Sequence, residues 1–276
     1  MPRILRAKPH PTRHPAIDSR AWTVAQELHA RRGWLLDQAS FQRSWSVHLG
    51  AAAFEISAHV LLLFDSPCMV VQLTWKFPKA MPRATAEEAV QHLRASLGER
   101  YRNAPSGDHL TTAVRTDKPK RLLAEIAHVE HVLGGRAARR FGPSPRSQDR
   151  RRWHLVEALR ASSWLIGSLS FLHKIGDEHR QLAGSIGVLV ESASGRPGIN
   201  ANFAGWVPRT SKRWRKFCDD TAVGLTAKGF RVNAQESGFF QCGRWVAGLN
   251  DPRGLKQADE FDELLNTGAD VVGGSL

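Results

Sequence analysis

The sequence predicts an α+β protein in which antiparallel sheet units flank a helical, arginine-rich middle segment. Three observations carry this. Apolar runs His59–Phe64 and Met69–Trp75 are separated by the turn-forming Asp65-Ser-Pro-Cys68, the pattern of a hairpin. Two long segments from residue 85 to 133 place apolar residues at helical spacing behind start signals. After Gly176 short strand-like runs return, interrupted by a helix.

Taken in order, residues 1–16 carry Arg3, Arg6, Lys8 and Arg13 among prolines and are expected to form a disordered basic arm. They lack the apolar core of a secretory signal. Asp18 or Ser19 can cap a helix that Gly33 ends, with Trp22, Ala25 and Leu28/His29 inward. Residues 44–77 read as strands, and the continuous apolar run at 59–64 suggests burial on both faces.

Thr85 and Glu88 form a capping box. Ala86, Val90, Leu93, Leu97 and Tyr101 follow at helical spacing. A short strand is expected at 110–115. Pro119 suits the first turn of a helix whose stripe is Leu122, Ile126, Val129 and Leu133, ended by Gly134-Gly135. A second long helix is expected from about 148 to 174, its half from Trp164 to Leu172 apolar nearly all round and central to the core. Strands at 185–191 and 200–206 are joined by Ser194-Gly-Arg-Pro-Gly198. A helix at 211–228 follows, with Trp214, Phe217, Thr221 and Leu225 inward. Strands at 231–233 and 243–249 and an acidic helix at 255–266 complete the chain. The domain reading is a basic arm (1–16), an N-terminal α+β part (17–117), a helical segment with an Arg-rich loop (118–176) and a C-terminal α+β part (177–276), the last either separate or one domain with the N-terminal part. No internal repeat shows at a fixed period.

Composition narrows the function. Lys plus Arg number 39 against 26 Asp plus Glu, a formal net charge of +13, which suits a phosphate-bearing partner. Cys68, Cys218 and Cys242 are scattered and contain no CxxC pair, which argues against a disulfide scaffold or cysteine zinc site and for a reducing, cytoplasmic setting. The hydrophobic stretches at 59–77 and 161–172 are interrupted or too short for a membrane span of about 20 residues. No cofactor or metal is expected, and no membrane partner.

Two clusters are candidate nucleic-acid-binding sites. Arg136, Arg139, Arg140, Arg146, Arg150, Arg151 and Arg152 run through a Gly/Pro-broken segment, with Trp153 beside them. Guanidinium forks bind phosphate bidentately and stack on flat rings; a solvated linker would show the same charge run. The second cluster is Arg209, Lys212, Arg213, Trp214, Arg215 and Lys216, at a helix start where cations oppose the helix dipole. A bound phosphate would relieve that conflict. Seven of the nine tryptophans have Arg or Lys within two positions, which suits stacking platforms beside charge and equally ordinary Arg-on-Trp packing.

Glu125, His128 and His131 share a helix at three-residue spacing. They form half of a carboxylate-bridged diiron motif without its second half, so an exposed polar face is expected instead. HExxH, Walker and GxSxG motifs are absent. The expectation is therefore a nucleic-acid-binding protein, RNA favoured over DNA. A metal-independent endoribonuclease is the alternative; small α+β units, glycine-rich loops and basic helices resemble, in architecture alone, the CRISPR-RNA-processing endoribonucleases. A basic subunit of a larger nucleoprotein assembly, with protein partners, is the third reading.

Overall fold

The computed structural model describes residues 6–9, 15–32, 34–49, 52–63, 68–76, 81–98, 104–106, 109–116, 118–133, 148–161, 164–177, 179–190, 198–207, 211–234, 239–249 and 251–273. Mixed helix and antiparallel sheet are present, as the sequence predicts. In chain order the first elements are β1 (Arg6–Pro9), α1 (Pro15–Ala30), β2 (Leu35–Leu49), β3 (Ala52–Leu63), β4 (Cys68–Lys76), α2 (Arg83–Leu97), β5 (Ala104–Ser106), β6 (His109–Thr116) and α3 (Pro119–Val132). Then come α4 (Gln148–Ala161), β7 (Leu165–Gly176), β8 (Gln181–Leu189), β9 (Gly198–Trp206), α5 (Lys212–Ala227), β10 (Arg231–Ala234), β11 (Phe239–Gly248) and α6 (Arg253–Gly273).

The chain divides into two compact units, one of residues 1–14 and 38–167, the other of 15–37 and 168–276. In the first, the strand order is β2-β3-β4-β6-β5, all antiparallel, with β1 added against β2. Residues Arg6–Pro9 of the expected disordered arm are thus a paired strand. One face of this sheet buries Phe41, Trp45, Ile56, Val60, Val71 and Leu73. On the opposite face Ser44, Ser57 and Thr74 lie in register, and the Ser44 and Ser57 hydroxyls are 2.8 Å apart. Residues 59–64 were expected to be buried on both sides; His59, Leu61 and Leu63 are instead half-buried, alternating with buried Val60 and Leu62.

In the second unit the order is β7-β8-β9-β11-β10, again antiparallel. Here α6 covers the sheet: Phe261 lies over Gly184, where an added Cβ would come within 2.9 Å of its ring. Gly254 fits against Ile199 and Gly268 against Leu182 in the same way, so glycines let this helix lie close to the strands. Phe203, Phe230 and Phe261 rings pack at 5.3 and 5.9 Å around the same centre.

The two units repeat one plan, which corrects the expectation of no internal repeat. Each has three antiparallel strands, a helix, two strands and a helix, with the same strand order. The equivalence is nearly residue by residue: β4 begins at 68 and β9 at 198, and β6 begins at 109 and β11 at 239. The sequence carries its trace in Trp34-Leu-Leu-Asp-Gln-Ala-Ser-Phe41 and Trp164-Leu-Ile-Gly-Ser-Leu-Ser-Phe171. The leading helices are exchanged. Helix α1 precedes β2 in the chain but belongs to the second unit, and α4 precedes β7 but belongs to the first.

Two further expectations change. Residues 164–174 are not the second half of a helix: α4 stops at Ala161, and 165–176 is strand β7. Leu169 and Phe171 face inward and alternate with the half-buried Ser168, Ser170 and Leu172. That period of two is a strand signature, which a run of apolar residues conceals. The composition-based boundary at 117/118 is not a boundary of the units, since α3 and α4 belong with β2–β6.

Candidate nucleic-acid interface

The start of α5 is built from the cap outward. Ser211 is in extended conformation and its Oγ accepts the Trp214 N–H at 3.3 Å. Trp214 is fully buried, its indole donates to the Trp206 carbonyl, and its ring stacks on Phe217 at 5.8 Å. At about 100° per residue, fixing Trp214 inward turns Lys212, Arg213, Arg215 and Lys216 through an outward arc of roughly 160°. All four are exposed, and the first turn holds no acidic residue. The Lys212 and Arg213 N–H groups have no intrahelical acceptor at this end of the helix. Lys216 also pairs with Asp220 at 2.8 Å, which holds its ammonium above the ordinary value. The inward stripe is Trp214, Cys218, Thr221 and Leu225; Cys218 takes the place expected of Phe217, which is half-buried.

The Arg-rich segment is seen only in part. Arg136, Arg139, Arg140 and Arg146 lie outside the described residues, as do Arg209 and the side chain of Arg151. Arg150 is exposed on α4 and Arg152 half-exposed. Trp153 is buried with Val156 and Leu159. Trp153 and Trp214 are therefore core residues, because each occupies the buried face of its helix. The stacking role expected of them is withdrawn.

Trp245, counted among the tryptophans beside a cation but not singled out from the sequence, is the one exposed tryptophan among the described residues. It is 44% exposed on β11, while Trp34, Trp45, Trp164 and Trp214 are fully buried. The signal was present: Phe239, Gln241, Gly243 and Trp245 alternate along one face of a strand.

Two carboxylates fasten the sheets to the helices in equivalent ways. In the second unit the Trp34 indole donates to Asp262 Oδ1 at 2.9 Å, and His173 Nδ1 lies 2.9 Å from the same oxygen. In the first, the Trp164 indole donates to Glu130 Oε1 at 2.8 Å, and Arg43 donates to it at 2.9 Å. Trp34 and Trp164 occupy equivalent positions, just before β2 and β7, and Arg43 and His173 are each the ninth residue of those strands. Arginine fills the position in one unit and histidine in the other, and each meets the carboxylate that also accepts a tryptophan indole N–H.

Glu125 is buried, correcting its place on an exposed polar face; His128 Nε2 lies 3.1 Å from the Leu97 carbonyl, and His131 is exposed. Among the described residues no three His, Cys, Asp or Glu side chains group as a metal site. A cleft of about 260 Å³ between α1 and the β9 and α6 region is lined by Val24, Leu255, Arg20 and Glu27 among others. It is smaller than usual ligand pockets. Among the described residues no helix is long and apolar enough to cross a membrane.

Protein-family models, curated proteins and solved structures were compared with the chain, and none matches.

Proposed function

We propose that this protein binds nucleic acid by gripping phosphates, RNA in preference to DNA. One observation carries the reading: Lys212, Arg213, Arg215 and Lys216 stand exposed around the start of α5, on a first turn without acids. Outward cations and unfilled helix N–H groups converge where an anion is favoured by both. The net charge of +13 makes that anion a polyanion rather than a lone ion. Arg150 and Arg152 extend the basic character in the first unit. Contacts of this kind position a backbone and read little sequence.

The test is the quadruple variant Lys212→Ala, Arg213→Ala, Arg215→Ala, Lys216→Ala, titrated against short RNA in low salt. Trp214 and Ser211 stay, so the helix keeps its cap and core anchor. Binding weakened severalfold or more, with unchanged circular dichroism, supports the reading. Unchanged affinity refutes it.

A further inference from the structure

The second unit has a sheet face that its helices leave uncovered. Side chains on alternate strand positions separate cleanly. Gly184, Phe203 and Cys242 face α5 and α6, and Arg244 on the same side donates to the Lys228 carbonyl at the end of α5. The intervening residues face the other way. Across that face β8, β9 and β11 bring Gly187, Asn200 and Trp245 into one register row, and Ser185, Asn202 and Gly243 into the next, which Arg231 of β10 extends.

The relief of this face is low for a stated reason. A Cβ on Gly187 would lie 2.2 Å from Asn200 Oδ1, and one on Gly243 2.5 Å from Asn202 Oδ1. The asparagine amides thus lie down over the glycines, filling the space that side chains would take. Trp245 stands at the margin of this shallow polar floor. The cations on the face are Lys174 and Arg231, both exposed, and none of its described residues is Asp or Glu. Flat amides and hydroxyls, an exposed indole and unopposed positive charge are the components that hold unpaired bases and their backbone. A duplex presents its bases edge-on and offers no ring face to Trp245.

We infer that this face binds single-stranded nucleic acid, with a base stacked on Trp245 and phosphates drawn by Arg231 and Lys174. The inference rests on the nucleic-acid reading above and gives it a strand state and a site. Trp206 joins the two regions: its carbonyl takes the Trp214 indole N–H at the start of α5, and it lies on β9. From Trp206 to Asn200 the strand runs about 20 Å, so a strand gripped at α5 can continue onto the face.

The test is fluorescence anisotropy of a labelled oligouridylate in low salt, with a labelled RNA duplex and polyglutamate in parallel. Trp245→Ala is expected to weaken oligouridylate binding roughly tenfold and leave the duplex unchanged, with Trp245→Phe retaining most of the affinity. Arg231→Ala with Lys174→Ala, which leaves the indole in place, is expected to weaken the oligonucleotide severalfold and serves should Trp245→Ala not fold. Wild-type binding that both variants leave intact overturns the sheet-face site while the grip at α5 stands. Absence of any wild-type binding overturns both. An equal loss of polyglutamate binding in Trp245→Ala also overturns it, since that ligand has no bases to stack.

Discussion

Replacing Arg43 by methionine is the most informative single perturbation of the fold. Glu130 is wholly buried and its carboxylate receives Arg43, itself only 13% exposed, at 2.9 Å and the Trp164 indole at 2.8 Å. Arg43 also lies 5.3 Å from the centre of the Trp45 ring. Methionine preserves the apolar volume but removes the Arg43 cation from the carboxylate, and breaking a buried pair costs about 3–5 kcal/mol. The equivalent position in the second unit gives an internal control. His173 and Asp262 are 18% and 29% exposed, so water replaces the lost partner, and His173→Met is expected to cost about 1 kcal/mol. Urea unfolding of the full chain, followed by circular dichroism and tryptophan fluorescence, measures both. The double variant Arg43→Met, Glu130→Leu is expected to recover part of the loss, because an apolar pair carries no unpaired charge. It will not recover all, since Trp164 still lacks its acceptor. Equal losses for Arg43→Met and His173→Met, or less than about 1 kcal/mol for the former, would refute the reasoning.

Other positions give independent checks. Gly176 has φ of +100°, and a Cβ there would meet the Arg180 carbonyl at 1.9 Å; Gly176→Ala should lower the melting temperature by several degrees, corresponding to more than about 1 kcal/mol. In the same turn the Asp177 carboxylate accepts the His179 and Arg180 N–H groups at 2.7 and 2.9 Å, which holds its pKa below 3.8. Its contribution is present above that value and is lost as pH falls through the lowered one, so Asp177→Asn should flatten the acid limb of the stability–pH curve. Burial pushes the Cys218 thiol up to about 12 and Cys242 up to about 11 from 9.0. In a Cys68→Ser background both should resist maleimide at neutral pH until urea is added. Their stabilising contribution holds below pH 9 and falls above it, by about 1.4 kcal/mol per pH unit for each thiol ionised only when unfolded.

Much of the architecture was legible in the sequence. Glycines, Pro119 and helical stripes place α1, α2, α3 and α5 within a few residues, because those signals act locally; the caps expected at Asp18 or Ser19 and at Thr85 lie instead inside helices that begin at Pro15 and Arg83. The 165–176 strand was not, since Leu165, Ile166, Leu169, Phe171 and Leu172 satisfy either period and only Ser168 and Ser170 betray alternation. The repeat escaped because equivalent core positions keep apolar or acidic character rather than identity or size. Val129 of α3 and Leu133 at its C-terminal end answer to Phe261 and Leu265 of α6, and Glu130 to Asp262. Exchange of α1 and α4 has no local sequence signal, since it depends on which unit a helix joins after the chain has crossed. In the candidate site the cations at 212–216 were legible from charge and the predicted helix start. The burial of Trp153 and Trp214 was legible only by asking which helix face carries the stripe.

The central claim is tested most directly by the salt dependence of RNA binding to the wild-type chain. Three or four phosphate contacts on a single strand predict that log K falls with log salt concentration with a slope of about −2 to −3. The quadruple α5 variant should flatten that slope. Failure of the wild-type protein to bind RNA at low salt, or binding indifferent to salt, would contradict the account.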